Sequence, residues 1–290
     1  MGPTAVLYVS QAIHGLAYGM LLFLVASGLT LIFGMMGILN IAHGGFYMLA
    51  GYFCYQVLQM TGNFWLALLI APVAAGICGV LVERFLLRTV HVQGHLAELL
   101  ITVGVMMVIL ETVKLFWGTE SMMIKIPQQL SGLLNVAGLS YPIYRLFIIG
   151  LSTVVLGIMA LLLYKTRLGM IVRAAVSDAD MVNALGINTP VVFMLVFGIG
   201  TWMAGVAGVV AGPLLTVFPG MADQMLLDAF VVVVVGGFGS LLGAFVVAIF
   251  LGELHSYGIQ LIPRLAPLLM FGFMALVLAF KPMGLFGERE

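Results

Sequence analysis

Apolar runs long enough to cross a bilayer alternate with short polar breaks along almost the whole of this chain. About 20 apolar residues span a hydrocarbon core. Such runs occur at Ala12–Phe33, Ile38–Leu58, Phe64–Leu86, Ala97–Trp117, Ile143–Tyr164, Val191–Phe218, Met225–Gly252 and Leu261–Phe280. They predict an all-α polytopic membrane protein with about eight transmembrane elements, the first of them open to being a broken helix or a tight pair. Of the first four runs only the third holds a central proline, Pro72. The gap Gly118–Tyr141, with Pro127, Ser131, Gly132 and Asn135, reads as a surface loop with short helical pieces.

Composition agrees with this pattern. Hydrophobic residues make up 63% of the chain and charged residues 8%, with a mean hydropathy of +1.23. No Asp, Glu, Lys or Arg precedes Glu83, whereas Lys165, Arg167, Arg173, Asp178 and Asp180 share one short island. The island divides the single membrane domain into approximate halves, 1–164 and 191–290, around a cytoplasmic loop at 165–190. A formal net charge of +0 offers no basic surface for nucleic acid. Cys54 and Cys78 lie in apolar runs and read as small hydrophobes. The N-terminus shows neither a basic region before its first apolar run nor a cleavage site, so no cleaved signal peptide is expected.

Basic residues near span ends favour the cytoplasm. Arg84 and Arg88 end the third run, and Lys165, Arg167 and Arg173 follow the fifth, two crossings later, on the same face. Lys281 and Arg289 suggest a cytoplasmic C-terminus, although three crossings from the island predict the opposite. One extra crossing or re-entrant piece near Gly236 reconciles them.

Two glycine-rich breaks align: Gly44-Gly45-Phe46-Tyr47-Met48-Leu49-Ala50-Gly51-Tyr52-Phe53 with Gly236-Gly237-Phe238-Gly239-Ser240-Leu241-Leu242-Gly243-Ala244-Phe245. About five crossings separate them, and an odd number places the copies in opposite orientations, as in the inverted repeats of membrane transporters. Glycine pairs permit close helix packing or unwind a helix beside a cavity. Asn40 and His43 directly precede the first pair, so Asn40, His43, Gly44 and Gly45, with Gly236, Gly237, Gly239 and Ser240, are candidate pathway residues. The bland alternative for these residues is packing and structural hydrogen bonding.

Glu111 has Lys114 three residues on, which an ordinary ion pair explains. Glu98 falls near the headgroup region with His95 nearby. The i,i+4 pair His91 and His95 has no third ligand of clear spacing, and His14 and His255 are isolated, so no metal site is expected. HExxH, GxSxG and GxxxxGK[ST] are all absent, which leaves no catalytic residue and no ATP site in this chain; ATP-driven work must come from a partner. A secondary transporter or channel would need an ion-coupling acid near the midplane, and neither glycine-rich repeat contains one. An intramembrane enzyme would need a nucleophile beside a base.

In the island, Ser177 suits an N-cap, Asp178 and Asp180 suit the positive end of a helix, and Gly186 suits its stop. A cytoplasmic helix of about two turns follows, too short to be stable undocked.

At these residues the chain resembles the shorter permease subunits of branched-chain amino acid ABC importers. The resemblance runs through Gly28-Leu29-Thr30-Leu31-Ile32-Phe33-Gly34, Leu39-Asn40-Ile41-Ala42-His43-Gly44, Thr102-Val103-Gly104, Lys165-Thr166-Arg167-Leu168-Gly169, Arg173-Ala174, Ala184-Leu185-Gly186-Ile187-Asn188, Gly236-Gly237-Phe238-Gly239-Ser240, Gly243-Ala244 and Lys281-Pro282-Met283-Gly284-Leu285-Phe286-Gly287. It implies a prokaryotic inner-membrane subunit that pairs with a second homologous permease. Two cytoplasmic ATP-binding subunits, holding the ATP and Mg, would drive it, and an extracytoplasmic solute-binding protein would feed it. No cofactor is expected on this chain. The segment from Arg173 to Asn188, with Asp178, Asp180, Ala184, Leu185 and Gly186, would be the coupling helix. The Val90–His95 stretch and Glu111 are less typical of the family. The cargo implied is a branched-chain or related aliphatic amino acid, with urea, short amides or another small organic solute as the alternative.

Overall fold

The computed structural model describes residues 3–136 and 139–287, so Arg289 lies outside the described residues. The eleven helices named below form one membrane body with a cytoplasmic appendage, and two short strands pair in one of the loops. The helices are α1 (Pro3–Met36), α2 (Ala42–Thr61), α3 (Phe64–Val82), α4 (His95–Trp117), α5 (Ile143–Lys165), α6 (Arg167–Ser177), α7 (Ala179–Ala184), α8 (Thr189–Leu215), α9 (Met221–Gly236), α10 (Leu241–Leu261) and α11 (Ala266–Phe280). Six helical stretches among the described residues are long and apolar enough to cross a membrane, with Leu268–Phe280 a shorter apolar helix. The first predicted element is one unbroken helix. The loop between α4 and α5 holds, besides a short helical turn, an antiparallel hairpin of β1 (Leu133–Val136) and β2 (Leu139–Pro142) that the hydropathy pattern did not announce.

Side-chain caps set the helix starts. Asn63 accepts from the amides of Trp65 and Leu66 to open α3, Thr166 from Gly169 to open α6, Asn188 from Val191 to open α8, and Ser240 from Gly243 to open α10. The last of these explains a difference from expectation. The run Met225–Gly252 is not one span: Gly237 and Gly239 adopt φ of +98° and +78°, and the chain reverses there into α10. This extra turn brings the C-terminal end back to the cytoplasmic face, where the Leu285 amide donates to the Val235 carbonyl at 2.8 Å and Phe286 to Gly236 at 3.2 Å.

Exchanging α1–α4 with α8–α11 preserves the packing pattern. α1 lies along α10 as α8 lies along α3, and α2 meets α8 as α9 meets α1. α2 also contacts α3 and α4 as α9 contacts α10 and α11. α1 ends at the face where α8 begins, so the repeat is inverted. α5 stands outside it. The two GGF segments are not its equivalent positions, because Gly44 and Gly45 open α2 whereas Gly236 ends α9.

The ends of α1 and α5, the Gly237–Ser240 turn and residues 282–287 border one cavity and therefore share a face. His91 approaches Phe193 with ring centroids 6.1 Å apart, which puts the end of α3 on that face too. Arg84, Arg88, Lys165, Arg167, Arg173 and Lys281 collect here, marking it as cytoplasmic.

The core is built on close backbone approach. In α1, a Cβ added at Gly19 would lie 2.7 Å from the Ala248 carbonyl oxygen of α10, while at the exposed Gly157 of α5 it would meet nothing within 4 Å. Apolar association has no hydrophobic drive inside lipid, so such contacts carry the packing. Gly19→Leu is expected to lower the thermal midpoint in detergent sharply, by about 2 kcal/mol or more of stability, and Gly157→Leu to leave it unchanged. Comparable midpoints for the two variants would refute this packing assignment.

Candidate functional site

The predicted pathway residues fall into two separate places. Asn40 and His43 are fully buried. Gly37, with φ +66°, ends α1, and the extended stretch after it leads back into the body of the protein. The Ile41 amide donates to Thr102 Oγ1 of α4 at 3.3 Å. His43 Nε2 then pairs with the Val25 carbonyl at 3.0 Å. Val25 lies 11 residues before the end of α1, about 16 Å along its axis, so α2 begins at membrane depth. The other Asn40 and His43 polar atoms, Nδ2 and Oδ1 of Asn40 and Nδ1 of His43, have no hydrogen-bond partner among the described residues. Gly44 packs on the first turn of α9 at Ala222, and Gly45 on Met106 and Ile109 of α4.

Gly236, Gly237, Gly239 and Ser240 sit instead at the cytoplasmic rim. Gly236 packs against Gly243 and Ala244, Gly237 against Gly287, and Gly239 against Gly34. Gly239 and Ser240 line a cavity of about 890 Å³ with Gly34, Phe238, Met283 and Phe286. The structure therefore does not bring the two glycine-rich segments together. A second cavity, about 830 Å³, opens on the opposite face between Asn63, Trp65, Lys125 and Gln128.

The cytoplasmic island forms two helices rather than one. Ser177 is the last residue of α6, and it is Asp178 that caps α7, accepting from the Met181 amide at 2.8 Å. Asp180 lies in α7, with its side chain outside the described residues. Gly186 stops α7 with φ +84°, and the Ile187 amide returns to the Val182 carbonyl at 3.3 Å. Val172, Ala175 and Val182 are buried, while Leu168, Met170, Val176, Met181 and Leu185 are exposed. Ala184 and Gly186 are exposed as well. Arg173 stays exposed and folds back along the chain: its guanidinium donates to the Leu163 carbonyl and lies 5.8 Å from the Tyr164 ring centroid, tying α6 to the end of α5.

Polar groups that the linear sequence left apart meet in the fold. His255 is not isolated, since its ring stacks on Tyr18 with centroids 4.5 Å apart, and the Tyr18 hydroxyl donates to Asp228 Oδ2 at 2.8 Å. His14 meets Tyr141 at 3.1 Å and the Arg145 guanidinium. Asp228 and Glu253 are membrane-depth acids inside the second half, which the test of the two glycine-rich segments alone did not register. Their signal was present: an acid inside an apolar span is a functional candidate in its own right. Glu111 pairs with Lys114 at 2.7 Å, as its spacing predicts. Both cysteines are free, Cys54 buried and Cys78 half-buried.

At the cytoplasmic end of α3, a π-helical turn, Glu83–Leu87, carries Glu83 into the interior, where it is 1% exposed. His91 Nδ1 bonds Glu98 Oε1 at 2.5 Å, its Nε2 lies 3.9 Å from Glu83, and His95 meets the other Glu98 oxygen at 3.2 Å. One imidazole thus lies between two buried carboxylates. No group of three or more candidate ligands among the described residues could hold a metal ion.

An inverted helical repeat embedded in the membrane, with apolar side chains presented on a cytoplasmic helix pair, defines a multi-pass membrane protein of the transport class. Residues 11–278 match the family described as branched-chain amino acid transport system / permease component, and the chain belongs to that family. It is 29% identical over 301 residues to the high-affinity branched-chain amino acid transport system permease protein BraD of Pseudomonas aeruginosa, with 98% of this chain and 97% of that protein covered. The LivH permease proteins of Escherichia coli (strain K12) and Salmonella typhimurium are each 29% identical over 304 residues, with 98% of this chain and 96% of each relative covered. No solved structure matches the chain.

The carboxylates of Glu83 and Glu98 favour the protonated His91 ring and raise its pKa above the ordinary 6.5, with burial opposing them. A raised folded-state pKa means the stabilisation is complete below 6.5 and is lost as pH rises through the folded value. Thermal unfolding in detergent should show the midpoint falling over that upper window. His91→Gln should remove this dependence, and an unchanged pH profile in the variant would contradict the assignment.

Proposed function

We propose that this chain is a permease subunit of an ATP-driven, binding-protein-dependent importer of branched-chain or related aliphatic amino acids in a prokaryotic inner membrane. The family match over nearly the whole chain is the observation that carries this reading. In it, the chain supplies half of the translocation pathway and a second homologous permease supplies the other half. Two cytoplasmic subunits bind ATP and Mg, and an extracytoplasmic protein delivers the solute.

The exposed apolar surface of α6 and α7 supports a docking role. Helices of 11 and 6 residues are marginal alone. These are held by the Thr166 and Asp178 caps and by Arg173, and they present Met181, Ala184 and Leu185 outward. Nucleotide-driven closure of the ATPases would move this pair, and the difference in docking between the two states is what transmits the energy.

Affinity purification of the tagged chain in mild detergent is expected to recover a second permease and two ATPases. Reconstituted with the binding protein, the complex should show leucine-stimulated ATP hydrolysis. Stimulation by urea or short amides instead would replace the cargo, and a lone chain supporting ATP-independent flux would refute the importer reading. Gly186→Val forces a β-branched residue into a left-handed backbone, and Asp178→Ala removes a cap of about 1 kcal/mol. Both should reduce ATPase recovery while membrane insertion stays intact; full recovery and transport would count against docking here.

A further inference from the structure

One polar stripe crosses the extracytoplasmic half of the molecule without any role in the reading above. On α1 it comprises Gln11, His14 and Tyr18, and on α10 Glu253, Ser256 and Gln260. Each set follows the i, i+3, i+7 spacing of a single helix face. The two sets interlock. Ser256 donates to both the Gln11 carbonyl and its side-chain oxygen at 2.8 Å, and Gln11 donates to Gln260 at 3.0 Å. At the deep end lies Asp228 of α9, bonded to Tyr18 under the stacked His255 ring. The Glu253 carboxylate covers Gly15, where an added Cβ would come 2.5 Å from its Oε2. Small size at position 15 makes room for that acid.

Tyr18, Asp228, Glu253 and His255 are each half-buried rather than enclosed. A lipid-facing surface cannot carry two carboxylates, so this face meets water or protein. Among the described residues no Lys or Arg pairs with Asp228 or Glu253, all four ion pairs lying elsewhere. Glu253 Oε2 and His255 Nδ1 are buried atoms without a hydrogen-bond partner among the described residues. Tyr18 engages one oxygen of Asp228 and leaves acceptor capacity on the other. The arrangement offers negative charge, spare acceptors and an aromatic face, which together match an ammonium group.

We propose that Tyr18, Asp228 and His255, with Glu253 beside them, form a membrane-embedded station that receives the ammonium group of the amino acid entering from the extracytoplasmic side. The stripe from Gln11 and Gln260 inward is its hydrated approach. This rests on the amino-acid cargo proposed above. The carboxylate partner replaces the water that the ammonium sheds on entering the bilayer, and the Tyr18 hydroxyl holds that carboxylate in place.

The test uses the complete importer in liposomes with its binding protein, reading labelled leucine uptake and ATP hydrolysis separately. Asp228→Asn is expected to cut uptake by about tenfold or more while binding-protein-stimulated ATP hydrolysis stays within about twofold. Asp228→Glu should restore part of it. Tyr18→Phe, which keeps the ring and loses the hydroxyl, should raise the leucine concentration needed for half-maximal uptake several-fold, and it keeps the proposal testable if the Asp228→Asn chain itself fails to fold into the membrane. Wild-type uptake in both Asp228→Asn and Tyr18→Phe overturns the station. So does loss of the second permease from purified Asp228→Asn, which would make this face a subunit contact. A wild-type complex that carries no aliphatic amino acid refutes the cargo reading and the station together, whereas a transporting wild type with equally active variants refutes the station alone.

Discussion

Backbone amides and carbonyls inside hydrocarbon have no water to bond, so each must find a partner in protein, and the two helix breaks at membrane depth answer to that constraint. The stretch between α1 and α2 re-enters the body of the protein and is received by Thr102 of α4. Its counterpart between α8 and α9 is received by a backbone bridge, in which Met122 and Val217 exchange hydrogen bonds at 2.7 and 3.0 Å. That bridge holds Thr216 at φ +61°, a conformation a β-branched residue adopts only when its surroundings over-determine it. The loop after α4 therefore has a structural duty beyond linking two spans.

Once the two breaks are secured, the first turns of α2 and α9 abut inside the molecule, and the long α1 and α8 cross beside them. Close crossing requires small residues on both partners, which is why the glycines concentrate where α1 meets α8 and α10 and where α8 meets α2 and α3. The same rule separates glycines by function. Gly104, Gly150, Gly157 and Gly272 have open space around them and carry no such load.

Polar side chains in the spans and at their ends meet three different fates. Asn40 and His43 are sealed in the interior at the first break. Glu83 and Glu98 flank the His91 ring at the cytoplasmic junction of α3 and α4. Tyr18, Asp228, Glu253 and His255 remain half-open on an outer face. The difference lies in which neighbouring helix supplies the covering surface, and in the last case this chain's own helices do not.

Hydropathy alone determined the membrane class and nearly all span positions, because exclusion of charge from lipid acts on each segment independently. The short motifs of the island likewise revealed its capped helix and its glycine stop, since capping is local; that Asp178 rather than Ser177 does the capping is a shift of one residue. The division of Met225–Gly252 at Gly237 was hidden because both pieces are equally apolar, and only the Ser240 cap and the returning C-terminal segment make the turn favourable. The pairing of α1–α4 with α8–α11 resides in helix contacts rather than in matching letters, so the GGF alignment found similar residues at inequivalent positions. The meeting of Tyr18, Asp228 and His255 joins residues up to 237 positions apart in the numbering of three helices. Only the tertiary structure could decide it, because side chains that distant interact solely when packing brings their helix faces together.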